Sequence, residues 1–266
     1  MTLDHLTYTD TGTGAPIVLI HGSVDDMRTW SYQTAPFSAH HRLITYSRRY
    51  HWPNTGADSA TAYRATDHRD DLAALIEELE LGPAHLVGAS YGAVVALLLA
   101  ATRPELVRSL VLGEPPAFNF LDRAELEANY RTQILPAKEA YDAGRPIDGV
   151  EHFLNSIVGP GAFARFPRGA RQVALDNAPE FGLEARSTPE EFFGPLTASD
   201  LRSIQTPALL VRGERSPEIF GRVIDVLRSN LPNARYLLVP GASHAMHRHN
   251  APLYNTAVLE FLDAVG

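Results

Sequence analysis

The sequence alternates between short apolar runs and segments with helical periodicity, and this alternation constrains the fold more than any other feature. The runs that predict strands are 16–20, 42–46, 85–87, 108–112, 207–211 and 235–239. Helices are predicted over 62–81, over 93–101 and near the C-terminus, where Val258 and Phe261 lie on one apolar face. Strands that alternate with helices imply right-handed crossovers, so we predict an α/β fold with a mostly parallel, doubly wound sheet.

The alternation pauses between residues 115 and 202, in a segment rich in helix signals and aromatic side chains. This pause predicts a core domain formed by residues 1–115 and 203–266, with a helical cap inserted at 116–202. Most of the aromatic side chains would fill the interior of the cap. A few, such as Phe118, are expected to face the core domain as part of a lid.

Composition excludes several classes of function. The 266 residues carry a formal net charge of −8, which disfavours binding to nucleic acid. The absence of cysteine excludes disulfides, thiolate metal sites and a cysteine nucleophile. The N-terminus lacks the features of a signal peptide, and the longest apolar run, 93–101, is about half the length of a membrane span. We predict a cytoplasmic protein that binds neither nucleic acid nor membrane.

A G-x-S-x-G pattern spans residues 88–92, after a predicted strand and at the start of an apolar helix. This context is typical of a nucleophile elbow, in which a serine lies on a sharp strand-to-helix turn. Such a strained turn needs small neighbours, and Gly88 and Gly92 supply them. We predict Ser90 as a nucleophile. The structural alternative is a glycine-rich turn in which the serine is only an N-cap.

His244 lies in the run 241–244, between the last predicted strand and the last predicted helix. A neutral imidazole there can take the Ser90 proton and return it to a leaving group, so we predict His244 as the general base. His247 and His249 compete for this role, and a surface-loop histidine is the structural alternative. No carboxylate or cysteine accompanies the three histidines at helical spacing, so we predict no metal site.

From Gly14 to the C-terminus, the chain resembles the α/β-hydrolase superfamily. The motifs that carry this resemblance are His21-Gly22 after a strand, the pattern at 88–92 and the run 241–244. The resemblance implies the α/β-hydrolase fold and a catalytic triad in the chain order serine, acid, histidine. We expect no cofactor.

The acid of this triad departs from the usual pattern. Superfamily members usually carry an aspartate in a G-D-x-D-P run, and the corresponding position here is Ser216. Glu114 follows the strand after the nucleophile and precedes a proline, an arrangement similar to that of zearalenone lactonases. We predict that Glu114 orients His244. Glu214 and the absence of any acid remain as alternatives.

The oxyanion hole and the pocket follow from the same resemblance. One backbone N–H should come from Tyr91 and a second from Ser23, with Val24 or Gly22 as alternatives. Val24, Trp52 and Phe118 are predicted to line the substrate pocket. For Trp52, packing on the core is an equal alternative.

Asp25 and Asp26 follow the predicted oxyanion loop and are expected at a solvated helix start. The alternative is that they contact the substrate or a catalytic water.

These residues predict a serine hydrolase that cleaves a small, largely apolar carboxylic ester or lactone through an acyl-enzyme intermediate. The position of Glu114, which is similar to that in zearalenone lactonases, favours a lactone over an open-chain ester. Cofactor-free haloperoxidase and C–C hydrolase chemistry use the same triad and are the enzymatic alternatives. A non-catalytic binder of a small ligand is the third possibility, favoured by Ser216 at the usual acid position. The one protein partner predicted is a second copy of this chain, in a homodimer.

Overall fold

A seven-stranded sheet forms the centre of the computed structural model, which describes residues 5–57 and 60–266. The spatial order of the strands is β1-β3-β2-β4-β5-β6-β7, and among these strands only β1 runs antiparallel to its neighbour. The strands are β1 (Tyr8–Thr11), β2 (Pro16–Ile20), β3 (Arg42–Tyr46), β4 (Ala84–Ala89), β5 (Val107–Gly113), β6 (Ala208–Gly213) and β7 (Ala234–Val239).

Helices cover both faces of this sheet. They are α1 (Ser31–Ser38), α2 (Ala65–Glu78), α3 (Tyr91–Thr102), α4 (Arg123–Asn129), α5 (Leu135–Asp142), α6 (Pro146–Val158), α7 (Ala162–Arg165), α8 (Arg168–Asp176), α9 (Ala178–Glu184), α10 (Pro189–Phe193), α11 (Ala198–Ser203), α12 (Glu218–Asn230), α13 (Met246–His249) and α14 (Ala251–Val265). Within residues 5–57 and 60–266, no helix has the length and apolarity that a membrane crossing requires.

The two-residue period of β2 divides its side chains between two hydrophobic clusters. Ile17 and Leu19 pack in the cluster that contains residues of α1 and α14, whereas Val18 and Ile20 pack in the cluster of α2 and α3. Every residue of β2 is buried because both faces are covered. This explains the continuous apolar run that predicted the strand.

The sequence did not predict β1, an edge strand that pairs with β3. Its four residues, Tyr-Thr-Asp-Thr, are polar or amphipathic and largely exposed. A strand at the edge of a sheet needs little apolar surface, so it leaves a weak pattern in the sequence.

Helices α4 to α11 lie between β5 and β6, where the sequence predicted a helical insertion. We call residues 116–202 the cap segment. Within it, the rings of Phe153 and Phe181 pack with centroids 4.5 Å apart. The cap segment also contacts the core, because the ring of Phe192 lies 4.7 Å from that of Tyr91 at the start of α3.

Candidate active site

Ser90 lies on a strained turn at the carboxyl edge of the sheet, between the end of β4 and the start of α3. Its backbone has φ 52° and ψ −121°, a conformation that side-chain-bearing residues rarely adopt. The amide of Ser90 donates a hydrogen bond to the carbonyl of Gly113 at the end of β5, 2.7 Å away. The turn therefore projects the serine side chain above the sheet edge.

The two glycines of the motif are required by close backbone contacts. A Cβ at Gly92 would lie 2.2 Å from the carbonyl oxygen of Ile20, and a Cβ at Gly88 would lie 2.6 Å from the backbone of Ala93. Neither contact can be relieved by turning a flexible side chain. The G-x-S-x-G pattern is thus a packing requirement of this elbow.

Gly92→Ala is expected to destabilise the protein by about 3 kcal/mol or more, since the new methyl group must displace β2 or α3. Urea unfolding measures this change. The matched control is Gly169→Ala in α8, where an added Cβ meets no atom within 4 Å. There we expect a change of at most about 1 kcal/mol, in the stabilising direction. Equal unfolding midpoints for the two variants would contradict the packing argument.

Three side chains from distant parts of the chain form a continuous hydrogen-bonded series. His244 Nε2 lies 2.9 Å from Ser90 Oγ, and His244 Nδ1 lies 2.7 Å from Glu114 Oε2. Because a carboxylate only accepts, Nδ1–H donates to Glu114 and Nε2 is free to accept from the serine hydroxyl. The amide of Gly213 donates to the other oxygen of Glu114 at 2.8 Å, and the Glu114 side chain is fully buried. The ring of Phe220 packs against the imidazole, with centroids 4.3 Å apart.

The other carboxylate considered for this role lies elsewhere. Glu214 is exposed, and its side chain accepts a hydrogen bond from the amide of Gly241 at 2.7 Å. Ser216, at the position where superfamily members usually carry aspartate, is buried, and its hydroxyl has no hydrogen-bond partner among residues 5–57 and 60–266. The structure therefore brings Glu114, and not Glu214, to His244.

The two competing histidines are engaged away from Ser90. His247 is buried with Nε2 3.1 Å from Thr29 Oγ1, and burial lowers the pKa of its imidazole well below the usual value. His249 Nδ1 accepts from the backbone and hydroxyl of Ser243 at 3.3 and 3.2 Å. Only His244, of these three histidines, contacts the serine.

The predicted oxyanion donors lie on either side of Ser90. Tyr91 is the first residue of α3, so its amide belongs to the helix N-terminus, and its buried hydroxyl donates to the carbonyl of Phe192 at 3.1 Å. A Cβ at Gly22 would lie 3.0 Å from the Cβ of Ser90, so the 21–23 loop passes directly beside the serine. Ser23 lines the cavity in front of it. The donor role of the two amides stays a prediction.

A largely apolar cavity opens onto Ser90 and His244. Its remaining lining comes mainly from the cap segment, with Ser23 and Phe220 from the core: Ser23, Pro116, Phe118, Gln133, Ile134, Phe153, Ile157, Glu184, Phe192 and Phe220. Phe118 lies in this lining, as its predicted pocket role requires. Val24 does not: it is buried, with φ 55°, in the turn that contains Ser23.

Trp52 also lies outside the cavity lining, which corrects the prediction that it lines the pocket. It is 41% exposed, and the guanidinium of Arg28 stacks over its ring at 3.7 Å. Arg28 is held there by Asp26, which is buried and caps the short helix that follows. Asp25 is desolvated beside it, and this burial raises the pKa of its carboxyl to about 6. Neither aspartate lines the cavity, and Asp26 is buried rather than solvated as the sequence predicted.

A buried polar network behind the cavity was missed by the sequence analysis. Arg48 is fully buried and donates to the carbonyls of His21 and Gly22 at 3.1 and 3.0 Å, and to Tyr63 Oη at 2.7 Å. Glu184 of the cap segment accepts from Ser23 Oγ at 2.6 Å and from Tyr63 Oη at 3.2 Å. Arg48 and Glu184 therefore hold the 21–23 loop from two sides.

Comparisons with known proteins identify the family. Residues 17–256 match the model of the alpha/beta hydrolase family, so the chain belongs to that family. This result and the structural likenesses confirm the predicted superfamily and the predicted α/β-hydrolase fold.

Particular relatives cover almost the whole chain. BpoC of Mycobacterium tuberculosis, which carries the name of a non-heme bromoperoxidase, is 31% identical over 98% of both chains. Its crystal structure aligns with a TM-score of 0.72 at 30% identity over 98% of this chain and 96% of that one. A 2-(acetamidomethylene)succinate hydrolase of Mesorhizobium japonicum is 28% identical over 97% of this chain and 92% of its own length.

A solved structure at lower identity shows the same fold. It is a thermophilic esterase from Thermogutta terrifontis, with a TM-score of 0.79, 24% identity and coverage of 98% of this chain and 93% of that one.

Proposed function

We propose that the protein is a serine hydrolase that cleaves a carboxylic ester or lactone through a triad of Ser90, His244 and Glu114. The observation that carries the proposal is the unbroken series of short contacts from Ser90 Oγ through the imidazole to the Glu114 carboxylate. It combines a nucleophile, a base and an orienting acid in one site.

The proposed reaction has two halves. Ser90 Oγ attacks the substrate carbonyl carbon while His244 Nε2 takes the hydroxyl proton and then returns it to the leaving oxygen, which leaves an acyl-enzyme. A water molecule, deprotonated by the same nitrogen, then releases the acid and regenerates Ser90. Glu114 stabilises the imidazolium formed in each half. The amides of Ser23 and Tyr91 would stabilise the negative oxygen of each tetrahedral intermediate.

The cavity supports a small and largely apolar substrate. Aromatic and aliphatic side chains of the cap segment, among them Phe118, Phe153 and Ile157, form most of its wall. Such a wall binds the hydrocarbon part of an acyl or alcohol group by removing it from water. The placement of the proposed acid after β5 is the feature that favours a lactone.

A second candidate is cofactor-free haloperoxidase chemistry. The observation that favours it is the name of the relative BpoC, which is 31% identical over nearly the whole chain. The same triad would serve, with hydrogen peroxide in place of water as the acceptor of the acyl group, and the peroxy acid released would then oxidise the halide. Hydrolysis and haloperoxidation therefore share Ser90 and differ in the second nucleophile.

A fluorophosphonate probe is expected to label the wild-type protein at Ser90, because such probes react with activated serines. In parallel, short-chain p-nitrophenyl esters and γ- and δ-lactones are assayed for hydrolysis, and halogenation is assayed with hydrogen peroxide, bromide and a carboxylic ester as acyl donor. Turnover of esters or lactones that exceeds peroxide-dependent halogenation supports the proposal. Absence of labelling at Ser90 would favour a non-catalytic ligand-binding protein instead.

A further inference from the structure

Glu184 is the one acidic residue among the described residues that line the cavity, and no lysine or arginine is found in that lining. The residue comes from the end of α9, so the cap segment carries it to a position beside Ser23. The other polar side chains of the wall, apart from the proposed catalytic pair, are Ser23 and Gln133. The electrostatic character of the cavity is therefore set largely by one carboxyl group.

The hydrogen bonds of Glu184 leave part of its accepting capacity unused. Ser23 donates to Oε1 and Tyr63 donates to Oε2, and each carboxylate oxygen can accept about two hydrogen bonds. A desolvated acceptor beside an apolar cavity gains free energy from any donor that a bound molecule brings. The fixed Ser23 and Tyr63 contacts hold the carboxyl in place, so a ligand meets a preorganised group.

The surrounding charges also favour a positively charged ligand group. Glu180 lies one helical turn before Glu184 on α9 and is fully buried, with Oε1 2.9 Å from His51 Nε2. Arg48 is the one arginine that bears electrostatically on both carboxyl groups. Burial, together with the charge of Glu180, raises the pKa of Glu184, so this carboxyl group holds its proton more tightly than a solvated one. A cation bound in the cavity would take the place of that proton as the counter-charge of the Glu184 carboxylate.

We propose that Glu184 is a specificity-determining residue that binds a hydrogen-bond-donating group of the substrate, an ammonium group best of all, and excludes substrates with a second carboxylate. This inference rests on the proposed function, since it takes the cavity to be the substrate pocket. The preferred substrate is then an ester or lactone with an apolar body and an amine or hydroxyl group.

The test uses three probes with the same apolar body: 3-phenylpropylammonium, 3-phenylpropan-1-ol and 3-phenylpropanoate. Their binding to the full-length Ser90→Ala variant is measured by isothermal titration calorimetry, so that no turnover is needed. We expect the ammonium to bind at least about tenfold more tightly than the carboxylate, with the alcohol between them. In the double variant Ser90→Ala, Glu184→Gln, the ratio of ammonium to carboxylate affinity should fall to about one.

The matched control is Glu190→Gln in the same Ser90→Ala background, because Glu190 is an exposed glutamate on α10 of the same cap segment. It should leave the affinity ratio unchanged. A role for Glu184 confined to holding Ser23 would weaken all three probes equally, and that result overturns the proposal. Equal affinity of ammonium and carboxylate for Ser90→Ala overturns it as well, even where Glu184→Gln does not fold. Failure of the proposed function would appear separately, as absence of fluorophosphonate labelling in the wild-type protein.

Discussion

Ser90→Ala is expected to lower kcat for the best ester or lactone substrate by about four to six orders of magnitude. The physical reason is that the other serine hydroxyl of the described cavity lining, that of Ser23, donates to Glu184 and not to His244. A triad without its nucleophile therefore retains only binding and the oxyanion hole. The fold should be unaffected, because alanine fits the same turn and the one hydrogen bond of Ser90 Oγ within the described residues is to His244. The measurements are steady-state kinetics under substrate excess and the urea midpoint of the same preparation.

The matched control for this loss is Ser216→Ala, which removes another buried serine hydroxyl near the same sheet edge. That hydroxyl has no hydrogen-bond partner in the part of the chain that the structure describes, so its removal should change kcat less than about threefold and leave stability within about 1 kcal/mol. A Ser90→Ala variant that keeps more than a hundredth of the wild-type kcat would show that Ser90 is not the nucleophile. The second candidate function predicts the same loss, since it uses the same serine.

The central strands were predictable because burial on both faces imposes a continuous apolar run. The run 16–20 coincides with β2, and 42–46 coincides with β3. The helix at 93–101 was equally clear, since α3 is buried from Tyr91 to Ala100 and carries almost no polar residue. The polar edge strand β1 shows the limit of this reasoning: a strand with little buried surface has no hydrophobic pattern to read.

The candidate site was predictable where local backbone geometry dictates the residue type. Gly92 and Ser90 form such a case, because the contact with Ile20 excludes a side chain at position 92. Glu114 was accessible by a different route, through its place at the end of a strand beside the nucleophile strand. The contact between Glu114 and His244 joins residues 130 positions apart, and no local pattern encodes it.

The buried polar network of Arg48, Tyr63 and Glu184 could not be predicted either, because its contacts also join residues that are distant in the sequence. Arg48 donates to backbone carbonyls of the 21–23 loop. Every residue type has a backbone carbonyl, so the sequence contains no particular partner residue that would indicate the role of Arg48. The four-residue spacing of Glu180 and Glu184 did place both acids on one face of a helix. That spacing alone does not distinguish a solvated face from a buried one. The one sign in the sequence that this part of the helix is buried is the large apolar residue Phe181 next to Glu180.

The identity of the triad acid gives the second large effect. Glu114→Gln should lower kcat by about three to four orders of magnitude while the protein remains folded. The amide nitrogen of glutamine can donate to His244 Nδ1, which would place the imidazole proton on Nε2, the nitrogen that must accept from Ser90. Without the carboxylate, the imidazolium formed during attack also loses its counter-charge. Pre-steady-state kinetics with a p-nitrophenyl ester should show that acylation slows, since Glu114 is proposed to act on proton transfer.

Glu214→Gln is the decisive comparison, because it makes the same chemical change at the other glutamate that the sequence offers. Glu214 is exposed and contacts only the amide of Gly241 within the described hydrogen bonds, so kcat should change less than about threefold. The stability of the Glu114→Gln variant should be close to that of the wild type, because the Gly213 amide that donates to the carboxylate can donate equally to the glutamine oxygen. Loss of stability therefore should not accompany the loss of turnover. Equal and mild losses in the two variants would remove Glu114 from the triad and leave His244 to act without an acid.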